Sequence, residues 1–160
     1  MDNTEVFFTE IRNGNEKAVE ELLLEQPKLI HARDQRGSTP LILATYYEHL
    51  PLTTLLLANG AIIDEQDGSG NTALMGVCFK GFTAIAKKLI DAGANVNQTN
   101  AMGATCLIYA ATFNRLEIAA LLLDNGANPK TKDARGQTAY DHAKMQESKP
   151  MMQLLEKYRQ

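Results

Sequence analysis

The side chains that most often carry catalysis or bind metal ions are few in this sequence and stand far apart. The histidines are His31, His49 and His142, and the cysteines are Cys78 and Cys106. Their spacing matches neither a Cys-x-x-Cys pair nor a His-Glu-x-x-His helix, the patterns that bring zinc ligands together. No nucleophile is placed beside a base in a recognisable pattern. We therefore expect a non-enzyme with no cofactor and no metal site.

The two cysteines both fall in apolar stretches, where a thiol serves as a small core side chain. A disulfide framework is not expected from so few cysteines. The 160 residues carry a net charge of −3, so the broad positive field that attracts nucleic acid is missing. Residues 1–10 contain three acidic and no basic side chains, and no apolar run approaches the roughly 20 residues that span a bilayer. We expect a cytoplasmic monomer that neither binds nucleic acid nor inserts into membranes.

Glycine and threonine recur along the chain at a constant spacing of 33 residues. The recurring residues are Gly37, Gly70, Gly103 and Gly136, and, two positions after each, Thr39, Thr72, Thr105 and Thr138. A second series with the same period follows leucine-rich segments, and it consists of Gly60, Gly93 and Gly126. A fixed period of 20 to 50 residues is the signature of a repeat architecture, so the repeat must position whatever function the chain has.

One period predicts a turn followed by two helices. Thr39 suits the N-cap of a first helix and Pro40 its first turn. A second helix is predicted over 49–59, where leucines three and four residues apart form one buried stripe. Gly60 ends it, because the residue after a helix commonly adopts a left-handed conformation. The segment 64–69 has the Asp and Gly content of a tight turn, which we expect at a hairpin tip.

Five segments of the sequence resemble the ankyrin repeat family. They are GSTPLILA at 37–44, LLLANGA at 55–61, GNTALMG at 70–76, LIDAGANVN at 89–97 and GATCLIYAA at 103–111. The resemblance covers nearly the whole chain and implies a mainly α fold, a curved solenoid in which each unit is a short β-hairpin followed by two antiparallel helices. It divides a single domain, 1–160, into units at about 1–33, 34–66, 67–99, 100–132 and 133–160, of which the first and last serve as caps.

The sequence departs from the family pattern at two kinds of position. Where the family usually has a histidine early in the first helix, this chain has Ile42, Met75, Ile108 and Asp141. Between the two helices the usual glycine is kept as Gly81, whereas Glu48, Asn114 and Glu147 replace it elsewhere. A left-handed backbone at those three positions would store strain. His49 stands where the family often has a structural histidine.

The resemblance also implies where partners bind. In the family the hairpin tips and the exposed side of each first helix form a concave face, and two positions near the end of each first helix project into it. Those positions hold Tyr46 and Tyr47, Phe79 and Lys80, and Thr112 and Phe113, with Arg36 and Met102 bordering them at the tips. Aromatic side chains are enriched among binding hot spots. The alternative interpretation is that the rings pack between neighbouring first helices and complete the core.

Three classes of function remain open. The first is an adaptor or regulator whose groove binds a protein or an extended peptide. The second is an effector or inhibitor that blocks the surface of a partner enzyme. The third, a small enzyme or ligand-binding protein, requires an enclosed pocket, which a one-layer solenoid seldom forms. Residues 1–33 hold seven acidic and four basic side chains and residues 130–160 hold four and seven. This asymmetry indicates either a solvated surface or the orientation of a charged partner, including a head-to-tail contact.

Overall fold

Ten α-helices follow one another in the computed structural model, which describes residues 3–158. The helices are α1 (Asn3–Arg12), α2 (Glu16–Glu25), α3 (Pro40–Tyr46), α4 (Leu50–Ala58), α5 (Ala73–Lys80), α6 (Thr83–Asp91), α7 (Cys106–Thr112), α8 (Leu116–Asp124), α9 (Ala139–Met145) and α10 (Lys149–Lys157). A 3₁₀ helix, Pro27–His31, follows α2. The predicted first and last units extend to residues 1 and 160, which lie outside the described residues. No helix within 3–158 is long and apolar enough to cross a membrane.

Threonine caps start four of these helices, as the 33-residue spacing predicts. The hydroxyl oxygen of each threonine accepts a hydrogen bond from the backbone N–H three residues later, at 3.1 or 3.2 Å. The caps are Thr39, Thr72, Thr105 and Thr138. Such a bond satisfies one of the free donors of a helix start, and its loss costs about 1 kcal/mol. At Thr138 the carboxylate of Asp141 also accepts from the N–H of the threonine, which completes a capping box.

The turns between the two helices of a pair are left-handed, as expected from the family pattern. The backbone φ is 62° at Glu48, 83° at Gly81, 57° at Asn114 and 56° at Glu147. This conformation costs a residue with a Cβ atom roughly 1–2 kcal/mol. Three of the five turns therefore retain strain that glycine avoids at the other two, Gly14 with φ 71° and Gly81.

The helices pack in two rows with the core between them. We call α1, α3, α5, α7 and α9 the first helices and the others the second helices. Each first helix packs on its own second helix and on the neighbouring first helices, and the second helices contact one another less closely. Leucines of both rows, such as Leu52, Leu74 and Leu122, are fully buried. The arrangement is that of a helical repeat solenoid.

Both cysteines belong to this core, as predicted. Cys78 and Cys106 are free and fully buried. Burial raises the pKa of the Cys78 thiol well above its usual value, and a hydrogen bond with Cys106 raises it further. A thiol held in its protonated form is a poor nucleophile, so the pair acts as core packing.

The predicted β-hairpins are not confirmed, because residues 3–158 contain no β-strand. Each tip is instead a tight turn in which one side-chain oxygen accepts hydrogen bonds from the backbone N–H groups two and four residues later, at 2.9–3.0 Å. The four residues that accept are Asp34, Asp67, Asn100 and Asp133. Neighbouring tips share single backbone bonds, such as Gly68 N–H to the Arg36 carbonyl at 3.3 Å. One bond per tip is too few to form a strand ladder.

Candidate functional site

The aromatic residues predicted to face a partner lie at the protein surface. Tyr46, Tyr47, Phe79 and Phe113 are each between 39 and 46% exposed, and Met102 is 60% exposed. More than half of the surface of each of these aromatic residues is therefore packed against the protein and the remainder meets solvent. Rings placed in this way have a fixed orientation and still offer an apolar surface to another molecule.

The rings of the third and fourth helix pairs form one cluster. The centroids of Phe79 and Phe113 are 4.7 Å apart, with the ring planes nearly perpendicular. Tyr109 lies parallel to Phe113 at 6.4 Å. Edge-to-face and stacked pairs of this kind contribute about 0.5–1.5 kcal/mol beyond the area they bury. On the side of α3, the Nζ of Lys80 lies 4.8 Å from the centroid of the Tyr46 ring.

A hollow of about 290 Å³ opens between α3, α5 and α7. Four aromatic rings line its walls, and its lining residues are Ile42, Tyr46, Asp67, Asn71, Thr72, Met75, Gly76, Phe79, Tyr109 and Phe113. Gly76 leaves space within this hollow because it has no side chain. The equivalent positions of the second, fourth and fifth pairs carry the side chains of Leu43, Tyr109 and His142. We call this space the Gly76 hollow.

A second hollow of about 230 Å³ adjoins the first and shares Tyr109 and Phe113 with it. Its other lining residues are Met102, Ala104, Ile108, Thr112, Asp133, Ala134, Arg135 and His142. Tyr109 and Phe113 form the wall that the two hollows share, and the two together extend from Tyr46 to Arg135 along the tips and first helices. We call the two hollows together the tip groove.

Three of the predicted site residues do not line the tip groove. Tyr47 packs its ring against His49 with the centroids 6.5 Å apart. Lys80 is held over Tyr46 and over Phe82. Arg36 is exposed at its tip. The other five predicted residues, Tyr46, Phe79, Met102, Thr112 and Phe113, do line it.

A hydrogen-bond network fixes the wall of the Gly76 hollow. The side-chain amide of Asn100 donates to the side-chain Oδ1 of Asn71 at 2.8 Å and to the Tyr109 hydroxyl oxygen at 2.9 Å. The Tyr109 ring is thereby held in place before any partner arrives. Sequence reasoning missed Tyr109, Asn71 and Gly76, although the 33-residue register aligns Gly76 and Tyr109 with Leu43 and could have singled out that position.

The tip carboxylates at the two ends of the groove differ in their surroundings. Asp133 Oδ2 lies 2.7 Å from His142 Nε2. Burial alone raises the pKa of Asp133, but the hydrogen bond from His142 and those from the N–H groups of Gln137 and Arg135 outweigh it, so its pKa lies below the usual value. Asp67 accepts the equivalent turn N–H groups but forms no ion pair within residues 3–158.

Two further observations concern chemistry. No group of three histidine, cysteine or acidic side chains between residues 3 and 158 is placed to hold a metal ion. His49, expected to be structural, caps α4 and its Nε2 lies 2.9 Å from the carbonyl oxygen of Arg12 in the preceding pair. This contact ties successive pairs together.

The family model for ankyrin repeats, which describes three copies, matches the chain over residues 7–100, 48–133 and 77–159. The overlapping matches cover residues 7–159, which include both hollows of the tip groove. No curated protein matches the chain.

Proposed function

Since the chain belongs to the ankyrin repeat family, whose members are generally protein–protein interaction modules, we propose that it is an adaptor or regulator that binds a partner protein or extended peptide along the tip groove. The observation that carries this proposal is the wall formed by Tyr46, Phe79, Phe113 and Tyr109 over two adjoining hollows. Exposed aromatic surface of this kind marks an interaction site more often than a solvated face.

The packing of the helices supports a concave groove. First helices approach one another more closely than second helices do, and a stack that is tighter on one side curves toward that side. The proposal therefore includes five ankyrin units in a single domain, with the tips and first helices on the inner face. The proposal also includes a monomeric state and a location in the reducing cytoplasm, of which the two buried free thiols support the second.

The test is the effect of Phe113→Ala on the affinity for a partner isolated with the wild-type protein. Phe113 lines both hollows, so its loss should weaken binding by on the order of 2 kcal/mol, with a small change in the thermal midpoint. Leu24→Ala is the matched control, because Leu24 is an exposed apolar residue on α2 and lines no part of the groove.

Isothermal titration calorimetry measures the affinity of both variants for the partner. If wild type and Phe113→Ala bind the partner with equal affinity and the variant is much less stable, the ring serves to pack the core. The proposal that the tip groove binds the partner would then be rejected. The prediction that Tyr47 contributes stays open, and Tyr47→Ala tests it in the same titration. Tyr47 lies outside the hollows, so we expect the smaller loss of affinity there.

A further inference from the structure

We propose that the Gly76 hollow receives a positively charged side chain of the partner, an arginine or a lysine in free or methylated form, and that Asp67 is the carboxylate that binds it. This inference rests on the proposed function, since it concerns the anchor of the same partner. It adds the chemistry of that anchor, which neither the family nor the groove specifies.

The fifth helix pair shows how this site looks when it is filled. Asp133 and His142 hold the same repeat positions as Asp67 and Gly76, 66 residues later. There the imidazole occupies the space beside the tip and lies 2.7 Å from the carboxylate. In the third pair the carboxylate is present and the side chain that would meet it is absent. A donor group from another molecule can therefore enter the space beside Asp67 that is equivalent to the space His142 fills beside Asp133.

The other tips are also satisfied internally. The Asn100 amide lies 2.9 Å from the hydroxyl of Tyr109, which stands at the position equivalent to Gly76. Asp34 lies 4.0 Å from the guanidinium of Arg12. Among the three tips that have an aspartate, the one at Asp67 is thus the tip whose carboxylate has no basic side chain beside it within residues 3–158. Half-buried carboxylates favour a charged partner because burial weakens their solvation.

The walls of the hollow favour a cation over an anion or an aliphatic chain. Tyr46, Phe79, Tyr109 and Phe113 line the hollow, and the face of an aromatic ring carries the negative part of its quadrupole, which attracts ammonium and guanidinium groups. Asp67 is the charged side chain of the lining. The chain itself shows that one of these rings accepts a cation, since the ammonium of Lys80 is held over Tyr46.

The basic groups of this face leave the hollow open to a cation. Lys80 is engaged with Tyr46 and Phe82 and does not line the hollow. Arg135 lines the second hollow, beside the Asp133–His142 pair. The net charge of −3 favours the approach of a basic segment. The volume of about 290 Å³ lies at the lower end of small-molecule pockets and suits a single side chain.

The experiment uses heptapeptide mixtures that differ at a fixed central residue. The centre is arginine, lysine, trimethyllysine, citrulline or norleucine, and the flanking positions are random. Binding to the full chain is measured by fluorescence anisotropy. We expect the best cationic mixture to bind about tenfold more tightly than the citrulline and norleucine mixtures, and the ranking of the three cations identifies the anchor. Equal or tighter binding of the neutral mixtures, or no binding of any cationic mixture, overturns the inference.

Asp67→Asn tests the role of the carboxylate without removing the turn. Asn100 shows that an amide oxygen at this position accepts the same two N–H groups, at 2.9 and 3.0 Å. We expect the tenfold preference for a cation to disappear in this variant. Asp34→Asn is the matched control, since it removes the same charge from a tip that does not line the hollow, and the preference should survive. A preference unchanged by Asp67→Asn overturns the inference.

Gly76→Leu separates this inference from the proposed function. Leucine occupies the equivalent position in the second pair as Leu43, so it should fold there and close the hollow, and binding of every mixture should be lost. If Gly76→Leu does not fold, Gly76→Ala replaces it in the same measurements. A Cβ atom at Gly76 meets only the Tyr46 ring, at an ordinary 3.7 Å, so this variant should fold. If Gly76→Leu abolishes binding of the isolated partner while Asp67→Asn changes nothing, the anchor is neutral and the groove stands. If both variants leave the partner's affinity unchanged, both proposals fail.

Discussion

The tips at Asp67 and at Asp133 have the same turn but differ in the side chain that stands beside the carboxylate. In both, the carboxylate accepts the backbone N–H groups two and four residues later. His142 closes the second site from within the chain, whereas Gly76 leaves the first site open. A repeat protein can thus keep one backbone and assign stability or binding to a unit by changing a single side chain. We refer to the two as the closed tip and the open tip.

The largest expected effect concerns the core beneath both tips. Leu122 on α8 is fully buried between helix pairs. Leu122→Ala should lower the free energy of unfolding by about 2–5 kcal/mol, because it leaves a cavity where neighbouring units stack. Urea unfolding followed by circular dichroism measures the loss. A loss below about 1 kcal/mol would mean that the 33-residue register is misassigned, and the comparison of equivalent tips would then have no basis.

His142→Gly should convert the closed tip into an open one. It removes a hydrogen bond to a charged group, which is worth about 1.5–3 kcal/mol, and places a glycine inside α9, which costs about 0.5–1 kcal/mol more. We expect a stability loss of about 2–4 kcal/mol and a second binding site for cation-centred peptides at Asp133. The stoichiometry in calorimetry, one peptide in the wild type and two in the variant, checks this. An unchanged stoichiometry would show that the space beside the carboxylate is insufficient.

Much of the fold follows from local chemistry, and for that reason the sequence predicts it. The threonine caps and the left-handed turns at Glu48, Asn114 and Glu147 each depend on a few neighbouring residues. The β-hairpins are not confirmed, because Asp and Gly indicate a turn, whereas a strand requires a ladder that the single bonds between the tips of residues 3–158 do not provide.

The open tip depends on contacts between repeats, so it was harder to predict. The projecting positions identified Tyr46, Phe79 and Phe113, but they missed Tyr109, whose hydroxyl accepts from an Asn100 amide that also donates to Asn71 of the preceding unit. A missing side chain at Gly76 gives no signal until its position is aligned with those of Tyr109 and His142. The hollow is therefore a property of the stack and cannot be assigned to any one repeat.

Gly76→His tests the comparison in the opposite direction with a smaller effect on stability. The imidazole should fill the open tip as His142 fills the closed one, and replacing a glycine inside α5 should stabilise the fold by about 0.5–1 kcal/mol. A higher urea midpoint together with weaker binding of cation-centred peptides is the expected result. A lower midpoint would show that the two tips differ in more than this side chain.

The smallest effect is the response of the closed tip to acid. Because the folded-state pKa of Asp133 lies below its usual value of about 3.9, the folded protein binds fewer protons there than the unfolded chain, and stability rises with pH across the interval between the two pKa values. The contribution is complete above the unfolded pKa and is lost as the pH falls through the folded one. Asp133→Asn keeps the turn, as Asn100 shows, but removes the titrating group. The urea midpoint measured from pH 6 to pH 3 should therefore fall less steeply below about pH 4 in this variant than in the wild type. An equally steep fall would mean that the carboxylate–imidazole pair does not distinguish the closed tip energetically, and that the stability of this end comes from its packing alone.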